Sequence, residues 1–149
     1  MAIIDKSRKP FIEDNNTNIK IGIDLPIQLS ISGSSGYFET TSTTIGAVKN
    51  NIRNLLKTHK GERLMQPNIG LNLRRYLFEN FDEDLQDTIK NEIITTFGFW
   101  LPFVQIVDIR INMSDVGDSI SNNTMNISLT FNITQDPNTL ETVSVDIGE

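Results

Sequence analysis

The acidic side chains carry the only catalytic chemistry that this sequence leaves open. Glu62 with Glu79, or Glu79 with a carboxylate of the Asp82 to Asp84 cluster, could form the pair that hydrolyses a glycosidic bond. One member of such a pair must lie in an apolar pocket, where it stays protonated and acts as the general acid. Each acid also has a simpler interpretation, as the partner of a cation, as a group facing solvent or a partner protein, or as part of a helix start.

The composition excludes most other catalytic and metal chemistry. Cysteine is absent and His59 is the single histidine, so thiolate metal sites, two-histidine metal sites and cysteine nucleophiles are excluded. The Ser/Gly-rich residues 32–36 lack the Lys-Ser or Lys-Thr that follows a phosphate-binding loop, which favours a linker. We therefore expect no catalytic residue, no metal, no cofactor and no small-molecule substrate.

Charge and hydropathy exclude two further classes of partner. The net charge is −6 and the basic residues are dispersed among acidic ones, which is atypical of a nucleic-acid surface. No apolar run is long enough to span a bilayer.

At 149 residues with 38% hydrophobic residues, the chain should fold as one domain. The lack of cysteine suits maturation in a reducing cytoplasm.

The acidic residues belong to a connector, residues 58–80, that lies between two helical patterns. Gly61 stands where a helix that ends near Thr58 needs a residue at positive φ. Pro67 prevents helix at the preceding residue, and Gly70 permits a second reversal. The connector is therefore predicted to have a defined shape.

Side chains between these turns have predicted roles of their own. Glu62 and Arg63 can pair with each other or with other residues. Leu64, Met65 and Ile69 are expected to anchor the connector to the core.

Apolar spacings of three and four predict helices on both sides of the connector. The first helix should start at Thr43 or Thr44, and the second should be short and capped by Asn72. The Asp82 cluster should start the third helix, and Gly98 should end it. The apolar positions of the three helices are, in order, Ile45, Val48, Ile52 and Leu55; Leu73, Leu77 and Phe78; and Leu85, Ile89, Ile93 and Phe97.

After Pro102 the apolar period becomes two, which predicts three antiparallel strands with one buried face. A turn is expected at Asp136-Pro137-Asn138, and the loop of residues 114–123 separates the first two strands. The fold class is therefore α+β, about three helices followed by a three-stranded antiparallel sheet. The inward positions are Val107, Ile109, Ile111 and Met113; Met125, Ile127, Leu129, Phe131 and Ile133; and Val143, Val145 and Ile147.

The first residues differ from this domain. A polar start is followed by alternating apolar residues from Ile19 to Ile31, interrupted by Pro26. We predict an extended N-terminal arm and Ser/Gly hinge over residues 1–36, and a single α+β domain over residues 37–149. The arm has little local surface to cover its apolar face, so it should dock on a neighbouring protein.

Fixed residue types at fixed spacings run through the connector: Lys60-Gly61-Glu62-Arg63, then Pro67-x-x-Gly70, then Leu73-x-x-x-Leu77-Phe78-Glu79. This pattern resembles the baseplate wedge and sheath-initiator family of contractile phage tails. With the flanking helices and strands, the likeness extends over residues 38–147.

The resemblance implies a structural subunit that templates sheath assembly by offering its C-terminal strand, with Val143, Val145 and Ile147, to sheath subunits. Its implied partners are other baseplate wedge proteins and sheath subunits, with several copies in a ring. Its implied location is the tail baseplate of a virion assembled in the host cytoplasm. An equivalent component of a type VI secretion or other contractile injection system is an alternative. The family has also carried a lysozyme label, so a peptidoglycan-degrading hydrolase is another.

The sequence departs from the family after the third helix. The family pattern there has Glu-Pro-Arg, a motif that helps to lock the initiator to its wedge neighbours. In this chain the matching positions are Leu101, Pro102 and Phe103. The proline turn is kept but both charges are replaced by apolar side chains. The contact must therefore be apolar here or come from elsewhere, or the partner has changed as well.

Overall fold

The computed structural model describes residues 18–30, 36–79, 82–113, 124–134 and 136–148. The chain forms two compact units, residues 1–53 and residues 54–149. Its element order, with helices first and a three-stranded antiparallel sheet afterwards, confirms the predicted α+β class.

The first unit contains a small antiparallel pair of strands, β1 (Gly22–Ile23) and β2 (Thr40–Thr41). Further along, Leu29 and Phe38 form an isolated antiparallel bridge. The Asp24 N–H also donates to the Glu39 carbonyl at 3.0 Å. The described part of the predicted arm therefore pairs with a later segment of its own chain.

The alternating apolar side chains of this segment remain in contact with solvent. Residues 1–17 of the predicted arm and residues 31–35 of the predicted hinge lie outside the described residues, so the arm and its hinge stay predictions. The exposed apolar side chains are Ile19, Ile21, Ile23, Ile27 and Leu29.

Helix α1 (Thr44–Lys57) begins where the sequence predicts. The Thr43 hydroxyl accepts a hydrogen bond from the Gly46 N–H at 3.2 Å, which is the N-cap geometry expected of threonine. The helix is amphipathic because its apolar residues recur every three or four positions. The buried side chains of this stripe are Val48, Ile52, Leu55 and Leu56.

The buried amide of Asn50 joins α1 to the strand pair of the first unit. It donates to the Ile23 carbonyl at 3.3 Å, the Asp24 carboxylate at 3.0 Å and the Thr41 hydroxyl at 3.2 Å. Its oxygen accepts from Arg53 at 3.1 Å. A buried amide is costly unless it is hydrogen-bonded, so these contacts fix the short strands relative to the start of the helix.

The predicted second helix is a 3₁₀ helix, Leu73–Phe78. Leu73 and Leu77 are buried as predicted, but Phe78 is 68% exposed. Asn72 precedes the helix without making a side-chain cap hydrogen bond, so its predicted capping role is wrong.

Helix α2 (Glu83–Trp100) begins as predicted, with the Asp82 carboxylate accepting from the Leu85 N–H at 2.8 Å. Its predicted end at Gly98 is wrong, because the helix continues to Trp100 and Leu101 caps it. A glycine inside a helix costs only about 1 kcal/mol, whereas a proline at position 102 disfavours helix at the residue before it. The buried face consists of Leu85, Ile89, Ile93, Thr96 and Phe97.

The sheet of the second unit has the order β3-β4-β5, formed by β3 (Val104–Met113), β4 (Met125–Ile133) and β5 (Asp136–Ile147). β4 alternates between buried and half-buried residues without a fault, as predicted. The loop of residues 114–123 lies outside the described residues.

Two details of the sheet correct the sequence predictions. The register of β3 against β4 shifts between Ile106 and Asp108, so Val107 is an extra residue and is 56% exposed rather than buried. Val104, Ile109 and Ile111 face the core instead. β5 begins at Asp136, so the reversal comes before it and the turn predicted at residues 136–138 is wrong.

Candidate functional site

Two glycines give the connector its shape. Gly61 has φ of 91° and Gly70 has φ of 105°, as the predicted reversals require. The Gly61 N–H donates to the Pro67 carbonyl at 2.7 Å, and the Leu71 N–H donates to the Thr58 carbonyl at 2.9 Å. A Cβ on Gly70 would overlap that Thr58 carbonyl oxygen. The connector is therefore closed by its own backbone, and Gly70 is required for close approach as well as for φ.

Glu62 stabilises the same turn through the backbone. Its carboxylate accepts from the His59 N–H at 3.0 Å, and its own N–H donates to the His59 carbonyl at 3.1 Å. The sequence left open whether Glu62 pairs with Arg63 or with another residue. In the structure the Glu62 carboxylate binds the backbone N–H of His59. Arg63 is exposed and makes no ion pair within the described residues. Its guanidinium is free to meet a partner.

The predicted apolar anchors of the connector are largely wrong. Leu64 is 97% exposed and Met65 is 94% exposed, while Ile69 is half-buried. The turn that Gly61, Glu62 and Pro67 close directs this segment away from the core. Local hydrogen bonds therefore set the shape of the connector where apolar burial was expected to do so.

A network around Glu92 holds the connector, the 3₁₀ helix and α2 together. The Glu92 carboxylate accepts from the Tyr76 hydroxyl at 2.8 Å and from the Lys60 ammonium at 3.2 Å. The Arg75 guanidinium lies 3.7 Å from the same carboxylate and donates to the Tyr76 hydroxyl. One carboxylate thus receives hydrogen bonds from two separate segments.

Burial and hydrogen bonds shift the pKa values of two residues in this network. Burial raises the pKa of Tyr76 from its ordinary value; the hydrogen bond from Arg75 lowers that pKa and the one to Glu92 raises it, and the net shift is upward. The hydrogen bond to Tyr76 raises the pKa of Arg75. The Arg75 guanidinium also lies over the Tyr76 ring, 4.5 Å from its centroid, in a cation–π contact.

The acids considered for hydrolysis are only partly brought together. Glu79, Asp82 and Asp84 line one open surface cleft beside Tyr76, but Glu62 does not. The three carboxylates are exposed, and Asp82 already caps α2. The cleft therefore offers none of them the apolar enclosure that a general acid requires. Within the described ranges no group of three or more His, Cys, Asp or Glu could hold a metal ion.

The turn after α2 presents apolar side chains. Leu101 is buried, and its N–H donates to the Phe97 carbonyl at 2.8 Å. Pro102 is exposed and Phe103 is 40% exposed. On the last turn of α2, Phe99 is 75% exposed and packs edge-to-face on Trp100 with ring centroids 5.0 Å apart. The turn itself carries no charge.

The C-terminal strand forms one edge of the sheet. β5 pairs with β4 on one side, and no described strand pairs with its other side. Val143, Val145 and Ile147 are buried, as predicted. On the outer face, side-chain hydrogen bonds join β5 to β4: Asn126 to Asp146 at 2.6 Å, Ser128 to Ser144 at 3.0 Å, and Thr130 to Thr142 at 3.3 Å.

Comparison with known proteins identifies the family. The family model described as Baseplate wedge protein gp25 matches residues 43–138, which covers the connector, both α-helices and most of the sheet. The chain belongs to this family. Membership of the gp25 family makes it a structural baseplate wedge protein of the contractile injection systems, as the connector motif predicts.

Individual proteins resemble the chain in sequence or in fold. The baseplate wedge protein gp25 of Enterobacteria phage T4 is 24% identical over 107 residues, covering 72% of this chain and 77% of the relative. A Geobacter sulfurreducens protein that carries the name tail lysozyme shares the fold, with a TM-score of 0.61 and 18% identity over 72% of this chain and 93% of that chain. A chain of the anti-feeding prophage baseplate has a TM-score of 0.60 and 22% identity over 75% and 83% of the two chains.

Several residues of the site were not predicted from the sequence. Glu92 and Tyr76 are 16 residues apart, so no local spacing marks them as partners. Phe99 had a signal, because residues 93–107 contain no charged residue in a chain that is 21% charged. In the described ranges no helix combines the length and apolar character that crossing a membrane demands.

Proposed function

We propose that this gp25-family protein is a non-enzymatic subunit that starts the contractile sheath by accepting a strand at the outer edge of β5. The supporting observation is that β5, a strand of 12 residues, has an outer edge with which no described strand pairs. An uncovered edge carries unpaired N–H and C=O groups, and an added strand satisfies them with main-chain hydrogen bonds.

Both edge strands of the sheet carry an irregularity, and β5 keeps the longer stretch of continuous pairing, from Glu141 to Ile147. β3 carries a bulge at Val107, which interrupts its ladder and bends the strand. The register of β5 against β4 also shifts, between Phe131 and Ile133, but from Phe131 to Met125 it is continuous. Its buried side chains anchor it from one face, so the strand stays fixed while its outer edge is occupied.

Acidic residues on β5 protect this edge before the partner arrives. Glu141 is half-buried and Asp146 is exposed on the strand, and Asp136 begins it. Charges on an edge strand discourage uncontrolled pairing between copies. Several copies arranged in a ring would present the edge repeatedly, and so would template an extended sheath.

Other surfaces of the chain contact the neighbouring wedge proteins. Pro102 and Phe103 supply an apolar contact at the turn, where the resembled motif has a charge at the position of Phe103, and the exposed Arg63 supplies an ionic one. The exposed apolar face from Ile19 to Leu29 docks the N-terminal segment on a neighbour. Assembly of these contacts takes place in the cytoplasm of the host, which the lack of cysteine suits.

Site-specific photocrosslinking tests the strand addition. The chain has no cysteine, so Ser144→Cys gives one labelling position on β5 for a thiol-reactive photocrosslinker. Asn112→Cys on β3 is the matched control, since it is exposed at the opposite edge of the same sheet. We expect the β5 label to capture the cognate sheath subunit in assembled tails and the β3 label not to do so. Equal capture from both strands, or capture from β3 alone, would contradict the proposal.

The hydrolase alternative has a direct assay. We expect the purified protein not to clear a peptidoglycan suspension, because its cleft carboxylates are exposed. Glu79→Gln and Glu62→Gln variants serve as controls. Clearing by the unmodified protein that is lost in Glu79→Gln would establish a glycosidase and overturn the non-enzymatic role.

A further inference from the structure

A cleft at the C-terminal end of β5 combines an apolar floor with a cationic rim. The end of α1, the 3₁₀ helix and the last residues of β5 enclose it. Leu56, Leu73 and Ile147 are buried at its base. The polar residues that line it are Lys57, His59, Arg74 and Asp146.

The cations of this cleft lack the partners that other cations of the protein have. Within the described residues, neither Lys57 nor Arg74 forms an ion pair, although both are exposed and the net charge of the chain is −6. Asp146 is held by the Asn126 amide at 2.6 Å rather than by a cation. In the described part of the chain, cations that do pair with a carboxylate include Lys60, Arg75, Lys90 and Arg110.

We propose that this cleft binds a carboxylate of the polypeptide strand that adds to β5. This inference rests on the strand addition proposed above. The last residues of β5 line the cleft, so a strand that follows β5 to its C-terminal end reaches the residues of its rim. A carboxylate side chain there meets Lys57 and Arg74, and the incoming strand shields the ion pairs from water, which strengthens them.

The contact would set the register of the added strand. Main-chain hydrogen bonds alone form equally well after a slip of two residues, which keeps every side chain on its face. Such a slip moves each residue by about 7 Å along the strand. A carboxylate would then lie beyond reach of Lys57 and Arg74, so the cationic rim selects one register among several.

The test uses the Ser144→Cys label in the full-length protein. Arg74→Gln and Lys57→Gln remove one charge each, and the double variant removes both; Lys90→Gln on α2 is the matched control. We expect each single change to lower capture of the sheath subunit by up to about fivefold at low salt, and the double change to lower it further. Capture by the labelled parent should fall with added salt, while capture by the double variant should change little.

Two further arms separate the possible sources of the carboxylate. Glu149 follows the cleft in sequence and lies outside the described residues, so Glu149→Gln is assayed in parallel and should leave capture unchanged. A fall as large as that of the charge-removing variants would assign the cleft to Glu149 of the same chain. Inorganic phosphate at matched ionic strength should compete no better than chloride, and stronger competition would assign the cleft to a free anion.

The remaining outcomes are decisive for both proposals. If the labelled parent captures the sheath subunit and the double variant captures it equally, the carboxylate assignment is wrong while strand addition stands. If the labelled parent captures no sheath subunit, strand addition fails and the carboxylate assignment fails with it. Circular dichroism of each variant confirms that it is folded before assembly.

Discussion

The hydroxyl of Tyr76 donates a 2.8 Å hydrogen bond to the carboxylate of Glu92, which also accepts from Lys60 at 3.2 Å. These bonds join the 3₁₀ helix, α2 and the connector at one carboxylate. Because Tyr76 is buried, the O–H donor of its hydroxyl would lose water without gaining an acceptor if Glu92 were absent. The network therefore fixes the connector to the 3₁₀ helix and α2, while hydrogen bonds within the backbone of the connector close its turns.

Removing the hydroxyl tests this relationship. Tyr76→Phe removes the hydrogen bond to Glu92 and the one from Arg75, so it should lower the free energy of unfolding by about 1 to 3 kcal/mol, twice the usual contribution of one hydrogen bond. Urea unfolding followed by circular dichroism measures the change. Tyr37→Phe is the matched control, since Tyr37 is 74% exposed and its variant should unfold like the parent. Equal unfolding of both variants would show that these hydrogen bonds add nothing.

The same tyrosine predicts a dependence of stability on alkaline pH. Burial raises the pKa of Tyr76 in the folded protein above its ordinary value of 10.0. The folded state therefore holds the proton more tightly than the unfolded state. This contribution is complete below pH 10.0 and is lost as the pH rises through the folded-state pKa. Unfolding free energies measured across this range should decline less for Tyr76→Phe than for the parent.

Three glycine-to-alanine variants separate backbone strain from steric overlap. Gly61→Ala should cost about 1 to 3 kcal/mol, because φ is positive but the space is open. Gly70→Ala should cost more, since its Cβ would also overlap the Thr58 carbonyl. Gly98→Ala should stabilise the protein by about 0.5 to 1 kcal/mol, as it lies in α2 with open space for a methyl group. In thermal unfolding, Gly98→Ala should have the highest Tm, Gly61→Ala a lower one and Gly70→Ala the lowest, and any other order would contradict the assigned conformations.

Two neighbouring connector residues should separate stability from assembly. Glu62→Ala removes the acceptor of the His59 N–H and should lower the free energy of unfolding by about 1 kcal/mol. Arg63→Ala should unfold like the parent, because Arg63 has no ion pair in the described residues. It should nevertheless reduce incorporation into baseplates, measured by co-purification. Normal incorporation of Arg63→Ala would remove Arg63 from the proposed interface.

The apolar turn after α2 gives a prediction about assembly. Phe99→Ser and Phe103→Ser should change the free energy of unfolding by less than about 1 kcal/mol, because both rings are substantially exposed. Both should weaken co-purification with neighbouring wedge proteins. Because the contact is apolar, co-purification of the parent protein should not change with added salt. Ile94→Ser on the same helix, at 51% exposure, is the matched control. An equal loss with Ile94→Ser would indicate a general solubility effect.

Local chemistry in the sequence determined much of this protein. Thr43 and Asp82 start their helices because a side-chain oxygen satisfies N–H groups that have no partner within the helix. Gly61 and Gly70 adopt positive φ because they lack a Cβ. The alternation of β4 fixed its buried face, and the connector motif pointed to the family that the comparison identifies.

The tertiary structure alone decided the features that depend on distant partners. The bulge that exposes Val107 is set by pairing with β4, and periodicity within β3 cannot reveal it. Leu64 and Met65 resemble core residues by type, yet local hydrogen bonds in the turn leave them in solvent. Lys57 and Arg74 meet at one cleft only because the chain folds back on itself. Sequence spacing records contacts within one element, whereas these features arise between elements whose separation along the chain carries no periodic signal.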